Sequence, residues 1–285
     1  MKKILITGAN SYIGTSFETY INENFPTEFS VDTLDMIDCS WRQYDFSKYD
    51  VVFHVAGIAH SDTRTVTQEE KNKYYEVNTN LTIETAKKSK LSGVKQFIFM
   101  SSIIVFGSKN NCITYATEPN PDNFYGDSKL QADIGIHKLE DTTFKVVSIR
   151  PPMIYGYGSK GNYPVLAKFA KNTPIFPKYK NKRSMLYIEN LCQFIKLIID
   201  NNETGYFYPQ NAEYVNTSNM VYQIALNSGK HIWLTKLFNP LIWLFRKHRI
   251  VKKVFGDMYY ETNMSNYKSD YNNISFEKSI EKTNR

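Results

Sequence analysis

Short apolar runs that alternate with helical patterns limit the possible folds of this chain more than any other feature of its sequence. Strand-length runs cover Lys3–Thr7, Phe29–Leu34, Val51–Val55, Lys95–Met100 and Lys145–Ile149. Helical periodicity covers Ile13–Glu23, Glu69–Ser89 and Gly126–Leu139. Short buried strands between helices are typical of a parallel sheet that helices cover on both faces. The sequence therefore predicts an α/β fold with a doubly wound parallel sheet.

The pattern changes after Pro152, and this change predicts a second domain. Glycine and aromatic residues are frequent in Tyr155–Tyr163, and beyond an amphipathic helix at Glu189–Asp200 the periodicity is weak. A chain of 285 residues can hold one large domain and a smaller lobe. We expect residues 1–155 to form the sheet domain. Residues 156–285 are expected to form a smaller irregular lobe, with part of the later helix and strand returning to the sheet.

Composition and charge argue against several classes of protein. The net charge of +7 would suit an anionic partner, but the first 200 residues lack a dense block of Lys and Arg, so we expect no nucleic acid. Three cysteines without a CxxC pair argue against a zinc site and a disulfide framework, and we expect no metal. The first apolar run is too short for a signal peptide, and no apolar run reaches the length of a membrane span. We expect a cytoplasmic protein.

A glycine-containing turn, ITGANSYIGTSF, joins the first predicted strand to the first predicted helix. Backbone N–H groups at a helix N-terminus attract a diphosphate where small side chains allow a close approach. Gly8 permits the tight turn and Gly14 lets the helix pack on the strand, whereas Ser11 stands where such loops usually carry a third glycine. Any strand–helix turn can use small residues, so the loop alone leaves a structural role open. We predict that the hydroxyl or the backbone N–H of Ser11 faces a pyrophosphate, although the hydroxyl can also cap the helix.

Acidic residues near the second predicted strand extend this dinucleotide pattern. Asp35 stands at the strand tip, where a carboxylate can accept hydrogen bonds from ribose hydroxyls. This position favours NAD over NADP, because a carboxylate repels a 2′-phosphate. Asp45 and Phe46 precede the strand Val51–Val55 and are placed to bracket an adenine ring. Ordinary turn chemistry is the alternative explanation for these aspartates.

The segment YGDSK places Tyr125 and Lys129 one helical turn apart on the same face. A tyrosine ordinarily titrates near pH 10, and a nearby ammonium favours the phenolate, so we expect Lys129 to lower the pKa of Tyr125. Ser102 follows the strand Lys95–Met100, at the edge where α/β sheets bind ligands. Alone, these features could be a solvated helix face and a Ser-Ser turn. In this order they indicate a hydride-transfer site in which Tyr125 exchanges a proton with a substrate hydroxyl.

Six segments resemble motifs of the extended short-chain dehydrogenase/reductases, specifically the nucleotide-sugar epimerase/dehydratase family. They are ITGANSYIG, FHVAG, YEVNTNLT, FMSSIIVFG, YGDSK and SIRPPMIYGYG. Ser11 and Asn80 depart from glycines of the family pattern. The resemblance implies a Rossmann fold, NAD or NADP as cofactor, and catalysis by Ser102, Tyr125 and Lys129. The cofactor-binding residues that it implies are Gly8, Asn10, Ser11, Tyr12, Ile13, Gly14, Val55, Ala56, Gly57, Asn78, Tyr125, Lys129 and Pro152.

The resemblance also implies roles in substrate binding. GSKGNYPVL resembles the segment that grips the nucleotide-sugar, which suggests Asn162 and Tyr163. KNKRSMLYIENL suggests Arg183 as a diphosphate ligand, a task that suits its planar fork of donors. Ser102 and Ile103 complete the implied contacts with the substrate.

The implied reaction is hydride transfer at C4 of a UDP-hexose or UDP-N-acetyl-hexosamine, by an epimerase that serves surface polysaccharide biosynthesis. The alternatives are a reductase of a UDP-4-keto-6-deoxy-N-acetyl-hexosamine and a non-catalytic regulatory protein that binds a dinucleotide. Sugar 4,6-dehydratases need an Asp-Glu pair just after the catalytic hydroxyl, where this chain has Ile103 and Ile104. Apolar side chains cannot move protons, so we expect no 4,6-dehydratase activity.

The segment 231–256 combines apolar and basic side chains around Pro240. A basic amphipathic segment can lie on an anionic membrane surface. We favour the simpler expectation that its apolar face packs on the second lobe and covers the sugar site. The resemblance further implies a possible homodimer through the helices Glu69–Ser89 and Gly126–Leu139.

Overall fold

A computed structural model describes residues 1–58 and 67–284, and the chain divides into two compact units. The first unit comprises Met1–Ser108, Thr117–Pro151 and Cys192–Tyr208, and the second comprises Lys109–Ala116, Pro152–Leu191 and Pro209–Arg285. The strands are β1 (Lys2–Thr7), β2 (Phe29–Leu34), β3 (Val51–His54), β4 (Gln96–Met100), β5 (Cys112–Ile113), β6 (Lys145–Ile149), β7 (Met153–Tyr155), β8 (Ile175–Pro177), β9 (Met185–Tyr187), β10 (Gly205–Phe207), β11 (Trp233–Thr235) and β12 (Tyr259–Tyr260). The α-helices are α1 (Tyr12–Asn24), α2 (Gln68–Tyr74), α3 (Leu81–Leu91), α4 (Phe124–His137), α5 (Asn162–Asn172), α6 (Ile188–Asp200), α7 (Thr217–Asn227), α8 (Asn239–Leu244), α9 (Arg249–Phe255) and α10 (Phe276–Thr283).

A six-stranded sheet in the order β10-β6-β4-β3-β1-β2 forms the centre of the first unit. Every neighbouring pair in this sheet is parallel. The strand order reverses beside β1, whose neighbours are β2 and β3. An open parallel sheet binds its ligand in the crevice at such a reversal. The predicted α/β fold with a doubly wound parallel sheet is confirmed.

Both faces of this sheet are apolar, and helices cover both of them. On one face Phe17 of α1 packs edge-on against Phe53 of β3, with 5.3 Å between the ring centroids. On the other face Ala86 of α3 and Ala132 of α4 join Phe97 of β4 in one continuous core. Close-packed helices on both faces hold the carboxyl ends of the strands in place. The side chains at those ends are therefore held in fixed positions.

The predicted helix Glu69–Ser89 is interrupted by one π-helical turn. Residues Tyr75–Asn80 form this turn between α2 and α3. The wider turn brings two polar side chains to α4: Asn78 Nδ2 donates to Ser128 Oγ at 3.1 Å, and Thr79 Oγ1 donates to the Ser128 carbonyl at 2.7 Å. Single π-helical turns inside α-helices occur often at functional sites.

The second unit contains more regular structure than its weak periodicity suggests. Five of the helices and three two-stranded parallel pairs (β7–β9, β5–β12 and β8–β11) lie mainly in it. Its core includes Tyr155, whose ring stacks on Tyr163 and whose hydroxyl shares a hydrogen bond of 2.6 Å with Ser279 Oγ. Among the helices of the described ranges, none combines the length and the apolarity that crossing a membrane requires.

Candidate active site

The turn after β1 lies at the reversal of strand order, where backbone from two strands meets. Gly8 has φ +109°, and a Cβ added to it would lie 2.5 Å from the Ala56 nitrogen. The amides of Val55 and Ala56 both donate to the Thr7 carbonyl at 2.9 Å. Only glycine fits a position with this backbone angle and this close neighbour. The tight turn expected at Gly8 is therefore present.

The N-terminus of α1 has the properties of an anion site. Ser11 is the N-cap residue, and its hydroxyl accepts from Gly14 N at 3.2 Å. A Cβ on Gly14 would lie 3.1 Å from side-chain atoms of Ile6 and Val55, so this glycine lets α1 pack closely on the sheet. The first turn carries no acidic residue, so the positive end of the helix dipole is not neutralised. These residues fit a dinucleotide diphosphate, because the capped Ser11 hydroxyl can still donate its own hydrogen.

Of the acidic residues expected to contact the cofactor, Asp35 and Asp45 are exposed and hold local turns. Asp35 follows the last residue of β2, and its carboxylate accepts from Ile37 N at 2.9 Å. Asp45 accepts from Ser47 N at 2.9 Å. Phe46 differs from the prediction: it has no accessible surface and belongs to the core of the first unit, so its ring does not bracket an adenine in this structure.

Ser102 and Tyr125 come together at the carboxyl edge of the sheet. Ser102 caps the short 3-10 helix Ile103–Phe106, and its hydroxyl accepts from Ile104 N at 3.3 Å. The Ser102 side chain reaches that of Tyr125 and lowers the pKa of the phenol. A Cβ on Gly126 would lie 2.8 Å from the Ile104 carbonyl oxygen, so glycine beside Tyr125 allows α4 to approach the 3-10 helix this closely. Ile103 is 8% exposed, which leaves little of its side chain for a substrate contact.

Lys129 is buried beneath Tyr125, one turn further along α4. Its ammonium donates to the Met100 carbonyl at 3.0 Å and lies 4.6 Å from the centroid of the Phe99 ring. Burial lowers the pKa of Lys129 to about 8, against the opposing effect of the Asp133 carboxylate. A Cβ on Gly57 would lie 3.1 Å from Lys129 Nζ, so the loop after β3 passes directly over this ammonium. Lys129 is thus a mostly protonated cation at neutral pH, held by backbone and by a ring.

The expected effect of Lys129 on Tyr125 is not seen in this structure. Burial raises the pKa of Tyr125 to about 12, and the Ser102 side chain lowers it by less. The prediction that the pKa falls toward neutrality is therefore wrong for the protein without a bound dinucleotide. Burial outweighs the other influences because a phenolate is poorly solvated there.

Asp133 is a buried anion that the sequence analysis missed. Its carboxylate accepts from Ser101 Oγ and from Arg150 Nε, both at 2.9 Å, and the side chain is fully buried. Asp133 stands four residues after Lys129 on α4, so the spacing Tyr125, Lys129, Asp133 repeats one helical interval. This repeat is the signal that could have identified it. The carboxylate stabilises the positive charge of Lys129.

Asn78 has a positioning role in this structure, because its side chain is fully buried. Its Oδ1 accepts from Ile58 N at 2.8 Å, and its amide nitrogen donates to the Ile58 carbonyl and to Ser128. Its polar atoms are engaged within the protein, and the predicted contact with the cofactor stays a prediction. Buried His54 acts similarly: it shares a hydrogen bond of 2.7 Å with Thr7, and burial lowers its pKa to about 3, so the ring is neutral.

Asn10 lies just before α1, and Tyr12 and Ile13 lie at its start, in the first unit, whereas four other predicted residues lie in the second unit. Asn162 begins α5 and is half-buried, and Pro152 is buried at the start of the unit. Tyr163 differs from its predicted role, because its ring is 5% exposed and stacks within the core. Arg183 is half-buried, donates to the Gly256 carbonyl at 3.0 Å, and has a pKa lowered by burial. Within residues 1–58 and 67–284, no three His, Cys, Asp or Glu side chains converge as a metal site requires.

A doubly wound sheet with a glycine turn and a helix N-terminus at its strand reversal is the fold of a dinucleotide-binding protein. The model of the NAD dependent epimerase/dehydratase family matches residues 4–208. A UDP-glucose 4-epimerase from Vibrio cholerae is 32% identical over 90% of this chain and 86% of its own length. An N-acetyl-alpha-D-glucosaminyl-diphospho-ditrans,octacis-undecaprenol 4-epimerase from Escherichia coli O157:H7 is 28% identical over 71% of this chain and 65% of its own. A solved UDP-glucuronic acid 4-epimerase from Bacillus cereus, in complex with NAD, has a TM-score of 0.75 at 18% identity and covers 98% of this chain and 96% of its own.

The chain belongs to the NAD dependent epimerase/dehydratase family. It is accordingly an enzyme, and the predicted cofactor class of NAD or NADP is confirmed for the family.

Proposed function

We propose that this enzyme is a 4-epimerase of a UDP-hexose or UDP-N-acetyl-hexosamine that serves surface polysaccharide biosynthesis. The meeting of Ser102 and Tyr125 at the carboxyl edge of the sheet, one helical turn from the Lys129 cation, is the observation that carries the proposal. The similarity to a UDP-glucose 4-epimerase over most of both chains supports the choice of reaction. An exposed Asp35 at the tip of β2 supports NAD over NADP, because it would repel a 2′-phosphate.

Gly8, Ser11 and Gly14 would hold the diphosphate of a dinucleotide, which would supply the hydride acceptor and donor for C4 of the sugar. Tyr125 takes the proton of the C4 hydroxyl in the first half of the reaction and returns it in the second. With its pKa raised to about 12, the phenol is protonated in the free protein and suited to donate. To act as a base it needs a positive charge close to the phenol, and an oxidised nicotinamide bound beside it would add such a charge to that of the buried Lys129 ammonium. Ser102 donates its hydrogen to the same sugar oxygen.

The residues beside Ser102 oppose a 4,6-dehydratase reaction. Ile103 is nearly buried and the half-buried Ile104 exposes only an apolar side chain, so neither can move protons at C5 and C6. We therefore expect no 4-keto-6-deoxy product from UDP-GlcNAc. Such a product, detected by mass spectrometry, would contradict this assignment.

For the substrate diphosphate we propose Arg183, with Asn162 as a further nucleotide-sugar contact. The guanidinium of Arg183 donates to the Gly256 carbonyl, and within residues 1–58 and 67–284 its other donors have no hydrogen-bond acceptor, so they can bind oxygen atoms of a ligand. An Arg183→Lys variant keeps the charge but loses the planar fork. A raised KM with nearly unchanged kcat would support the role, because a diphosphate contact is made equally in the ground and transition states.

One incubation tests the proposed reaction against its alternatives. The enzyme is supplied separately with UDP-glucose, UDP-GlcNAc and a UDP-4-keto-6-deoxy-N-acetyl-hexosamine, with and without NADH or NADPH. Interconversion of C4 epimers without net consumption of the dinucleotide supports an epimerase. Stoichiometric oxidation of NADH or NADPH with the keto sugar alone would show a reductase. Absence of turnover, together with no thermal shift on adding any dinucleotide, would show a regulatory protein.

A further inference from the structure

The positive charge of the chain is concentrated in one stretch of the second unit. Residues 214–256 contain seven Lys or Arg residues and no Asp or Glu. The whole chain contains 35 Lys and Arg and 28 Asp and Glu, so the remaining residues carry 28 of each sign. The net charge of +7 is therefore contributed entirely by this stretch. Charge segregated in this way points to an anionic surface as partner, rather than to solubility alone.

The same stretch exposes eight large apolar side chains. Trp233, Trp243, Leu237 and Leu244 are each between 59% and 79% exposed. The other four members are Phe238, Leu241, Phe245 and Ile250. Together with the basic side chains of residues 230–253, these eight form what we call the basic apolar surface. The expectation that the apolar face packs on the second lobe holds for Ile242, which is 7% exposed, but is wrong for most of that face, whose exposed members are Trp233, Leu237, Phe238, Leu241, Leu244 and Phe245.

The exposed side chains are presented by a backbone that is itself well anchored. Ile242, which is 7% exposed, holds α8 against the second unit. The Val254 carbonyl accepts from Thr217 Oγ1 at 2.8 Å, and the Phe255 ring packs on Phe176 at 5.8 Å. The backbone is therefore fixed within the stretch and at its C-terminal end. The apolar exposure belongs to the folded unit and is not a sign of an unfolded segment.

Basic residues of this surface also line a pocket of ≈ 360 Å³ in the second unit. Arg246, Lys247 and Lys252 contribute three cations to its wall, and Asp257 contributes one carboxylate. The Asp257 carboxylate already accepts from Lys182 N at 2.7 Å. The excess of positive charge suits a phosphodiester headgroup.

We propose that the basic apolar surface binds an anionic lipid bilayer, with headgroup phosphates at the cations and the Trp and Leu side chains in the acyl boundary. Tryptophan is favoured at such an interface, and each nearby Lys or Arg adds attraction to anionic lipid. A nucleic acid has a charged backbone and would not bury the four exposed Leu and Ile side chains. A second copy of this chain would bring two surfaces of the same positive sign together. Anionic lipid satisfies both the charge and the apolar area.

Vesicle binding by the full chain tests the proposal. Flotation with phosphatidylcholine vesicles that contain 30% phosphatidylglycerol (about a third anionic lipid) is compared with flotation on pure phosphatidylcholine. We expect at least about ten-fold stronger binding to the anionic vesicles, weakening as salt is raised. The Trp emission should shift to the blue, because Trp233 and Trp243 are exposed whereas Trp41, the third tryptophan, is 2% exposed.

Two pairs of variants separate the contributions of charge and apolar contact. Lys236→Glu with Lys247→Glu should lower anionic vesicle binding at least about ten-fold, whereas Lys73→Glu with Lys87→Glu, exposed lysines of the first unit, should not. Leu241→Ser with Leu244→Ser should abolish the blue shift, whereas Leu91→Ser, at an 89% exposed position, should leave it unchanged. Circular dichroism and Tm confirm that each variant is folded.

Three results would overturn the proposal. They are equal binding to neutral and anionic vesicles, no binding to either, and a concentration-dependent dimer in analytical ultracentrifugation that Leu241→Ser with Leu244→Ser dissociates. The last result would show that a second copy covers the surface. None of these outcomes depends on which sugar the enzyme converts, so the proposal and the proposed function fail separately.

Discussion

The carboxyl edge of the six-stranded sheet and the basic apolar surface use charge in opposite ways. At the sheet edge the ionisable groups are few and buried, and each is held by specific partners, as Asp133 is by Ser101 and Arg150. On the basic apolar surface the charges are many, and most of them are exposed. A site of the first kind depends on single atoms. A site of the second kind depends on the combined contributions of many side chains to binding, so no single substitution should abolish its function.

Loss of one hydroxyl would give the sharpest test of this contrast. Tyr125→Phe should lower kcat by about 10²- to 10⁴-fold, because it removes the group that exchanges the proton. Dinucleotide affinity, measured by calorimetry, should remain nearly unchanged. Tyr115→Phe, at a 68% exposed tyrosine, is the matched control and should retain full activity. Full activity in Tyr125→Phe would refute the catalytic role.

Two glycines with positive φ provide the next comparison. Gly8 has φ +109° with backbone 2.5 Å from an added Cβ, whereas Gly93 has φ +80° with nothing within 4 Å. Gly93→Ala should lower the free energy of unfolding by about 1 kcal/mol through its backbone angle alone. Gly8→Ala should cost several times more and should also eliminate dinucleotide binding. Equal Tm shifts in thermal denaturation would show that the close approach at Gly8 has no special role.

The pH dependence of the enzyme should report Lys129. As its pKa in the folded protein is about 8, kcat/KM should fall above about pH 8, when the ammonium loses its proton. Stability should change in the opposite direction. An unfolded lysine holds its proton to about pH 10.4, so between these values the unfolded state binds more protons and the free energy of unfolding rises with pH. A pH profile of activity beside one of urea unfolding measures both.

Asp133→Asn should move that fall in activity to lower pH, because it removes the carboxylate that stabilises the Lys129 ammonium. A purely structural role for Asp133 would lower Tm without moving the pH profile. Glu140→Gln, just beyond the end of α4, is the control and should leave the profile in place. Arg150 loses its anionic partner in Asp133→Asn, so some loss of stability is expected as well.

The smallest expected effect concerns the residue that departs from the glycine pattern. Ser11→Ala should lower stability by about 1 kcal/mol, since the cap of α1 loses its acceptor, and Ser11→Gly should cost only a few tenths. If the Ser11 hydroxyl also faces the pyrophosphate, both variants should weaken dinucleotide binding severalfold. Unchanged affinity in both would limit Ser11 to capping.

The sequence predicted five of the six sheet strands, and placed Ser102 at the carboxyl edge of the sheet, because these depend on local pattern. An apolar run of strand length has few alternatives, and the carboxyl edge of a parallel sheet brings strand-end residues together. Burial at single positions depends on packing that distant residues determine. For this reason Phe46 and Tyr163 were placed at ligand sites although both are core residues, and the raised pKa of Tyr125 was not foreseen.

Burial was also difficult to predict for residues 233–250, where apolar side chains that were expected to be buried are exposed. Its amphipathic pattern is visible in the sequence, but a pattern does not tell whether its apolar face meets the rest of the fold. In the structure only a few of these apolar residues, among them Ile242 and Phe255, pack on the second unit. The rest of the face stays exposed.

The π-helical turn at Tyr75–Asn80 has a consequence for how this chain can evolve. A π-helical turn holds one more residue than the α-helical turn it replaces. Deleting any one residue there would restore a continuous α-helix and rotate everything on one side of the deletion by about 100°. Asn78 and Thr79 would then lose their partners on α4. In this helix the two contacts with α4 tolerate many side-chain substitutions elsewhere but tolerate no change in the number of residues between Tyr75 and Asn80.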